Sequence, residues 1–183
     1  HYLGYLPAIL DYFVHWLFSQ PPIIRPTGGG EAPEWWEGFE RDATGAGKRL
    51  PDVVRDAFRD ALIVRRAGWI IGTPDLRTAT MSQAEAEAEG VDGVVLTPVS
   101  AEDILDWDCD AAGTLRWVVV RKVEHVREFP GERLRVETYT YLDSVQWAVW
   151  EVRQDQKGKG GEAVLLGSAE HGIGRVPFVA LEI

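Results

Sequence analysis

Cysteine is nearly absent from this chain. Cys109 stands alone among 183 residues, which excludes an internal disulfide framework and any cysteine-based zinc site. It also favours a reducing, intracellular compartment. Long apolar runs are missing: none reaches the roughly 18 to 20 residues that span a bilayer, so no membrane association is expected. The apolar opening Leu3–Phe18 is broken by Pro7, Asp11 and His15 and has no basic leader, so it does not read as a signal peptide. Positive charge is scarce, with 19 Lys and Arg against 29 Asp and Glu. Residues 75–110 hold ten acids and one base and account for nearly all of the net charge of −10. A sequence-independent nucleic-acid binder needs a basic stripe, and none is present. Acidic walls repel phosphate, so DNA can pass close to such a surface without being gripped.

Recognisable catalytic patterns are lacking as well. There is no G-x-S-x-G, no H-E-x-x-H and no dinucleotide-binding glycine fingerprint, and His1, His15, His125 and His171 are scattered. His171 reads as a hydrogen-bonded turn residue. Gly45-Ala46-Gly47-Lys48-Arg49 superficially matches a phosphate loop, but Asp42 stands where its first glycine belongs and Arg49 where a magnesium-binding hydroxyl belongs. The acidic series Asp103, Asp106, Asp108 and Asp110 lacks the Asp/Asn–Gly–Glu pattern of a calcium loop. The expectation is no enzyme, with no catalytic, cofactor-binding or metal-binding residues. The alternatives are a small metal-dependent hydrolase using Asp103–Asp110 and a monomeric β-rich interaction module.

What is present is an ordered series of patterns and eight tryptophans. Val99–Arg127 is the stretch around which the rest is read. Ser100 and Asp103 resemble a helix N-cap with an acid in the first turn. Asp108, Asp110 and Gly113 supply turn chemistry. Leu115–Val120 is apolar in both alternation phases and predicts a strand covered on both faces. Upstream, apolar rows predict a helix over His1–Phe18, ended by Pro21–Pro22. A short helix with an aromatic face is expected at Glu34–Arg41, its Trp35, Trp36 and Phe39 filling a core edge. Pro51–Ala67 carries the widest apolar stripe (Val53, Val54, Ala57, Phe58, Ala61, Leu62), with Gly68 as its stop and a strand at Trp69–Ile71. Ser82–Glu89 alternates Glu and Ala and reads as an exposed acidic helix.

Downstream comes a meander. Phe129–Glu132 is a turn, and Arg133–Leu142 alternates Leu134, Val136, Thr138 and Thr140 against Arg135, Glu137, Tyr139 and Tyr141. Val145–Arg153 returns, Gln154–Gly161 is a long loop, Ala163–Leu166 resumes the sheet, and Pro177 places the last β-like run at an edge. The class is therefore α+β, N-terminal helices followed by an antiparallel β-meander. A mainly helical lobe (1–97) and an antiparallel β-rich lobe (98–183) form one composite domain. Starting at His1 and stopping inside an apolar run, the chain reads as a piece of a longer protein.

Several segments, taken in order, resemble the N-terminal half of the tailed-bacteriophage portal (head-to-tail connector) proteins. They are Asp42-Ala-Thr-Gly-Ala-Gly-Lys-Arg-Leu50, Gly68-Trp-Ile-Ile-Gly-Thr-Pro-Asp75 and Ser82-Gln-Ala-Glu-Ala-Glu-Ala-Glu-Gly90. Ser100-Ala-Glu-Asp-Ile-Leu-Asp-Trp107, Gly113-Thr-Leu-Arg-Trp-Val-Val-Val-Arg121 and His171-Gly-Ile-Gly-Arg-Val-Pro-Phe-Val179 follow. Gly90–Pro98 departs from the pattern, lacking an aromatic. The resemblance implies a structural subunit of a dodecameric ring at one capsid vertex, in the virion and, during assembly, the host cytoplasm. Its partners would be other copies of itself, a terminase motor, head–tail connector proteins and double-stranded DNA passing without sequence recognition. This piece would be the outer, wing-like part, and Lys157, Gly158 and Lys159 the candidate loop contact with DNA or a docking partner.

Overall fold

The computed structural model describes residues 5–26, 32–72, 93–127, 133–154 and 161–183. The Ser82–Glu89 helix, the Phe129–Glu132 turn and the Lys157–Lys159 loop read from the sequence lie outside the described residues. The fold is α+β: among the described residues, three α-helices are followed by antiparallel sheets that include a β-meander. Two compact units are present, 1–101 with 179–183 and 102–178.

The first unit is built on α3 (Leu50–Val64), which follows α1 (Tyr5–Leu17) and α2 (Glu34–Arg41). Leu50, Val53, Ala57 and Ala61 are its buried residues, spaced at three or four along one helical face. That face packs on the strands β1 (Arg66–Gly72) and β2 (Val95–Ser100). Ala43, Ala67 and Trp69 complete the core, with Trp36, Phe39, Leu96 and Leu181 packed around it. Trp36 and Phe39 of α2 thus fill a core edge, whereas Trp35, expected there with them, is 55% exposed. The small residues at 57, 61 and 67 let the helix and sheet approach closely.

α3 stops earlier than the glycine signal suggested. Arg65, not Gly68, closes it: Arg65 is left-handed (φ 65°, ψ 0°) and its N–H bonds to the Ala61 carbonyl at 2.6 Å. Gly68 is instead inside β1, paired with Val99. β1 is central in a three-stranded sheet of order β2-β1-β8, where β8 is Phe178–Glu182. An Arg66–Glu182 ion pair at 2.7 Å and an Ile183 N–H to Arg65 carbonyl bond at 3.2 Å hold the chain end against the start of β1. The junction between units falls after Ala101. The final strand, read from the sequence as part of the β-rich lobe, pairs with β1 and contributes Leu181 to the first core.

The second unit is a five-stranded meander in sequence order: β3 (Ile104–Cys109), β4 (Leu115–Arg127), β5 (Arg133–Asp143), β6 (Gln146–Gln154) and β7 (Val164–Glu170). The expected helix start at Ser100 is a single 3₁₀ turn, Ala101–Asp103, leading straight into β3. β4 is the longest strand, and it pairs with β5 over eleven positions without a break, Trp117↔Asp143 to Arg127↔Arg133. One row of paired residues crosses four strands, Ile104, Val120, Thr140 and Val149, all buried. Beside it Val118, fully enclosed at 0% exposure, pairs with buried Leu142. On the opposite face Trp117 stacks on Tyr141, ring centroids 6.3 Å apart, a diagonal cross-strand contact. Gly167 leaves room for the Trp147 indole, which would lie 3.3 Å from a Cβ there.

A non-glycine residue in the left-handed region carries about 1–2 kcal/mol of strain, and glycine is the usual residue at this cap. Arg65→Gly should therefore raise stability by about 0.5–1 kcal/mol, allowing for the backbone entropy glycine loses. Urea unfolding checks this: a higher midpoint is expected, and an unchanged or lower one contradicts the reading of the cap.

Candidate functional site

The segment that superficially matches a phosphate loop is filled by its own anion. Asp42 Oδ1 accepts the Thr44 N–H at 3.2 Å, and Thr44 Oγ1 accepts the Ala46 N–H at 3.3 Å. The Gly47 N–H, followed by those of Thr44, Gly45 and Ala46, outweighs desolvation and holds the Asp42 carboxyl below the usual carboxylate range. Converging backbone N–H groups form a nest for negative charge, and here the occupant is a side chain of the same loop. Ala43, with no exposure, anchors the loop: its N–H bonds to the Lys48 carbonyl at 2.8 Å and its carbonyl accepts the Leu96 N–H at 2.7 Å. Lys48 pairs with Asp56 of α3.

The acidic series is dispersed among separate partners. Asp103 faces Arg121 at 3.7 Å, Asp108 faces Arg116 at 3.3 Å, and Asp106 Oδ1 accepts the Trp107 N–H at 2.9 Å. Asp110 builds the β3–β4 turn, its Oδ1 accepting the N–H groups of Thr114 at 2.8 Å and Ala112 at 2.9 Å. The Thr114 bond first, then Ala112 and Arg116, holds its carboxyl low against desolvation. Among the described residues, no three His, Cys, Asp or Glu side chains converge as a metal site.

His171 is a turn residue. Its Nδ1 accepts the Ile173 N–H at 3.2 Å and its Nε2 lies 2.9 Å from the Asp143 carbonyl. The tautomer that satisfies both carries the proton on Nε2. Glu137 was not singled out in the sequence, yet it is a buried carboxylate. It is fully engaged: Arg135 Nη2 reaches Oε1 at 2.6 Å, and the Tyr139 hydroxyl donates to Oε2. That bond, with burial adding to it, raises the Tyr139 phenol above its ordinary range. The i, i+2, i+4 spacing of these three residues on β5 was the available signal.

What the chain leaves open is apolar surface. On α1, Tyr5, Ile9, Tyr12 and Trp16 form one stripe and Leu6, Phe13 and Leu17 another, each at least half exposed. Only Val14 is buried. The helix is held to α3 by Phe18 against Phe58, ring centroids 5.5 Å apart, and by Asp11–Arg59 at 2.7 Å. Between them lies an apolar groove of about 330 Å³ lined by Leu10, Phe13, Trp16, Leu17, Phe58 and Leu62. In the second unit, Val164, Leu165 and Leu166 of the outer strand β7 are 57%, 53% and 56% exposed. Contiguous apolar surface of this kind marks interaction sites on folded proteins. Among the described residues, no helix is long and apolar enough to cross a membrane.

Comparison with protein-family models finds no matching family, and comparison with curated proteins finds no match.

The low carboxyls of Asp42 and Asp110 set the direction of the acid response. A group whose folded pKa lies below its unfolded value, near 3.9, stabilises the fold above that value. The contribution is lost as pH falls through the folded pKa. The melting temperature should hold from pH 7 to about 5 and fall below about 4. An Asp42→Asn/Asp110→Asn variant should melt lower at pH 7 and lose less on acidification. An acid limb as steep as that of the parent chain contradicts this assignment.

Proposed function

We propose that this chain is the outer α+β part of a phage portal subunit, a structural component of a ring at the capsid vertex. Its role there is mechanical: it packs against neighbouring copies, frames the passage for double-stranded DNA and offers docking surface to the terminase motor and the connector proteins. The observation that carries the assembly part of this reading is the exposed apolar surface along α1 and on β7. Such surface is costly on an isolated molecule and useful on a subunit buried against neighbours. The portal part rests on the ordered series of sequence segments from Asp42 to Val179. The α+β architecture and the acidic balance are in keeping with both. Ring contacts are head to tail, joining different patches of adjacent subunits. Lys157, Gly158 and Lys159 remain the candidate contact with DNA or a docking partner.

Negative-stain electron microscopy of the full-length parent protein tests the proposal. Rings with a central hole are expected. A uniform small monomer at micromolar concentration contradicts it.

A further inference from the structure

α1 has more apolar surface than one neighbouring element can cover. Tyr5, Ile9, Tyr12 and Trp16 recur at intervals of four, three and four residues, the spacing of a seam that packs against another helix. They are 72%, 51%, 69% and 66% exposed. Asp11 and Phe18, which tie α1 to α3, and the buried Val14 lie on the other side of the helix, so the seam points away from α3. A second row one residue along, Leu6, Leu10, Phe13 and Leu17, repeats the spacing. Three of its members line the groove of about 330 Å³ that α1 forms with Phe58 and Leu62 of α3. Trp16 belongs to both seam and groove.

Neither surface suits lipid or a charged partner. α1 contains no Lys or Arg, the residues that hold an interfacial helix to headgroups, and its one acid, Asp11, is engaged by Arg59 at 2.7 Å. What fits is an uncharged helix seam laid into an apolar groove between two helices. Each copy of the chain carries one such seam and one such groove. Two copies paired seam to seam about a two-fold axis would cover the seams and leave both grooves empty. Seam into groove, repeated around a ring, covers both faces of every copy, one against each neighbour.

We propose that the groove between α1 and α3 takes the α1 seam of the adjacent copy of this chain, so that these helices link subunits head to tail. This rests on the ring reading and gives it a specific contact. The two surfaces differ, so the contact closes into a ring or propagates, whereas a seam-to-seam pair stops at a dimer. At these exposures the seam offers roughly 550 Å² and the second row about half of that. Together they bury on the order of 800 Å² per junction, below the roughly 1,200–2,000 Å² of a stable pair. A single junction is therefore weak, and it persists where ring closure gives every copy two of them.

A photo-crosslinking residue reads the contact in the full-length parent. p-Benzoylphenylalanine placed at Tyr12 or, separately, at Ile9 puts the probe on the seam, and a melt like that of the parent confirms that the fold is kept. Irradiation should give a ladder of dimers, trimers and higher species on a denaturing gel, with linked peptides joining α1 of one copy to the groove wall 58–62 of another. Links that miss 58–62, a product that stops at the dimer, or no intermolecular product from either probe overturns the proposal. Rings by microscopy without these links would discard the helix contact and keep the ring. The links without rings would keep the contact and discard the portal reading.

Discussion

The uninterrupted pairing of β4 with β5 is the constraint on which the second unit depends. Eleven consecutive partners, Trp117↔Asp143 through Arg127↔Arg133, fix the register of both strands. Because side chains alternate with period two, that register also fixes which residues face each way. Val118, Val120, Thr140 and Leu142 are thereby set on the buried face, and Trp117, Tyr139 and Tyr141 on the other. A slip of one residue would turn Glu137, together with Arg135 and Tyr139 of the same strand, onto the face of the valines. β3 and β6 are added to the flanks of this pair, and β7 to β6. The outer strands therefore inherit their facing from it.

The first unit depends on a comparable economy. α3 supplies one narrow face of Leu50, Val53, Ala57 and Ala61, and its small residues allow close contact with β1. The Asp42 loop is tied to β2 through Ala43, so the segment before α3 and the strand after β1 are held by the same backbone contacts. With the core satisfied by α2, α3 and the sheet, α1 is left to lie on α3 with little of its apolar surface enclosed. An apolar helix that its own unit covers so sparingly is what the assembly proposal explains.

Local pattern reached the elements whose residues encode them locally. The stripe of α3, the alternation of β5 and the turn role of His171 were all legible, because helical or two-residue periodicity and Gly-rich turns are short-range signals. β3 was hidden. Its Asp106 and Asp108 look like turn or metal chemistry, and Ser100 before Asp103 looks like a helix cap, so a strand bent at both ends by bulges was not read there. The end of α3 was misplaced because Gly68 offers the ordinary stop, whereas Arg65 takes the left-handed position. The return of β8 to β1 is a pairing across more than a hundred residues, which no local window contains. The same limit applies to the candidate surface: periodicity found the apolar rows of α1 but not whether anything covers them.

The central claim is that the exposed apolar strand β7 and helix α1 are contact surface between copies. Hydrogen–deuterium exchange on the full-length parent, compared between its assembled form and its dissociated subunits, reads this directly. Assembly should slow exchange at 164–170 and the α1 segment 5–17, while the amides of 118–120, already paired inside the sheet, stay as they were. Equal exchange at 164–170 and 5–17 in the two forms would contradict it.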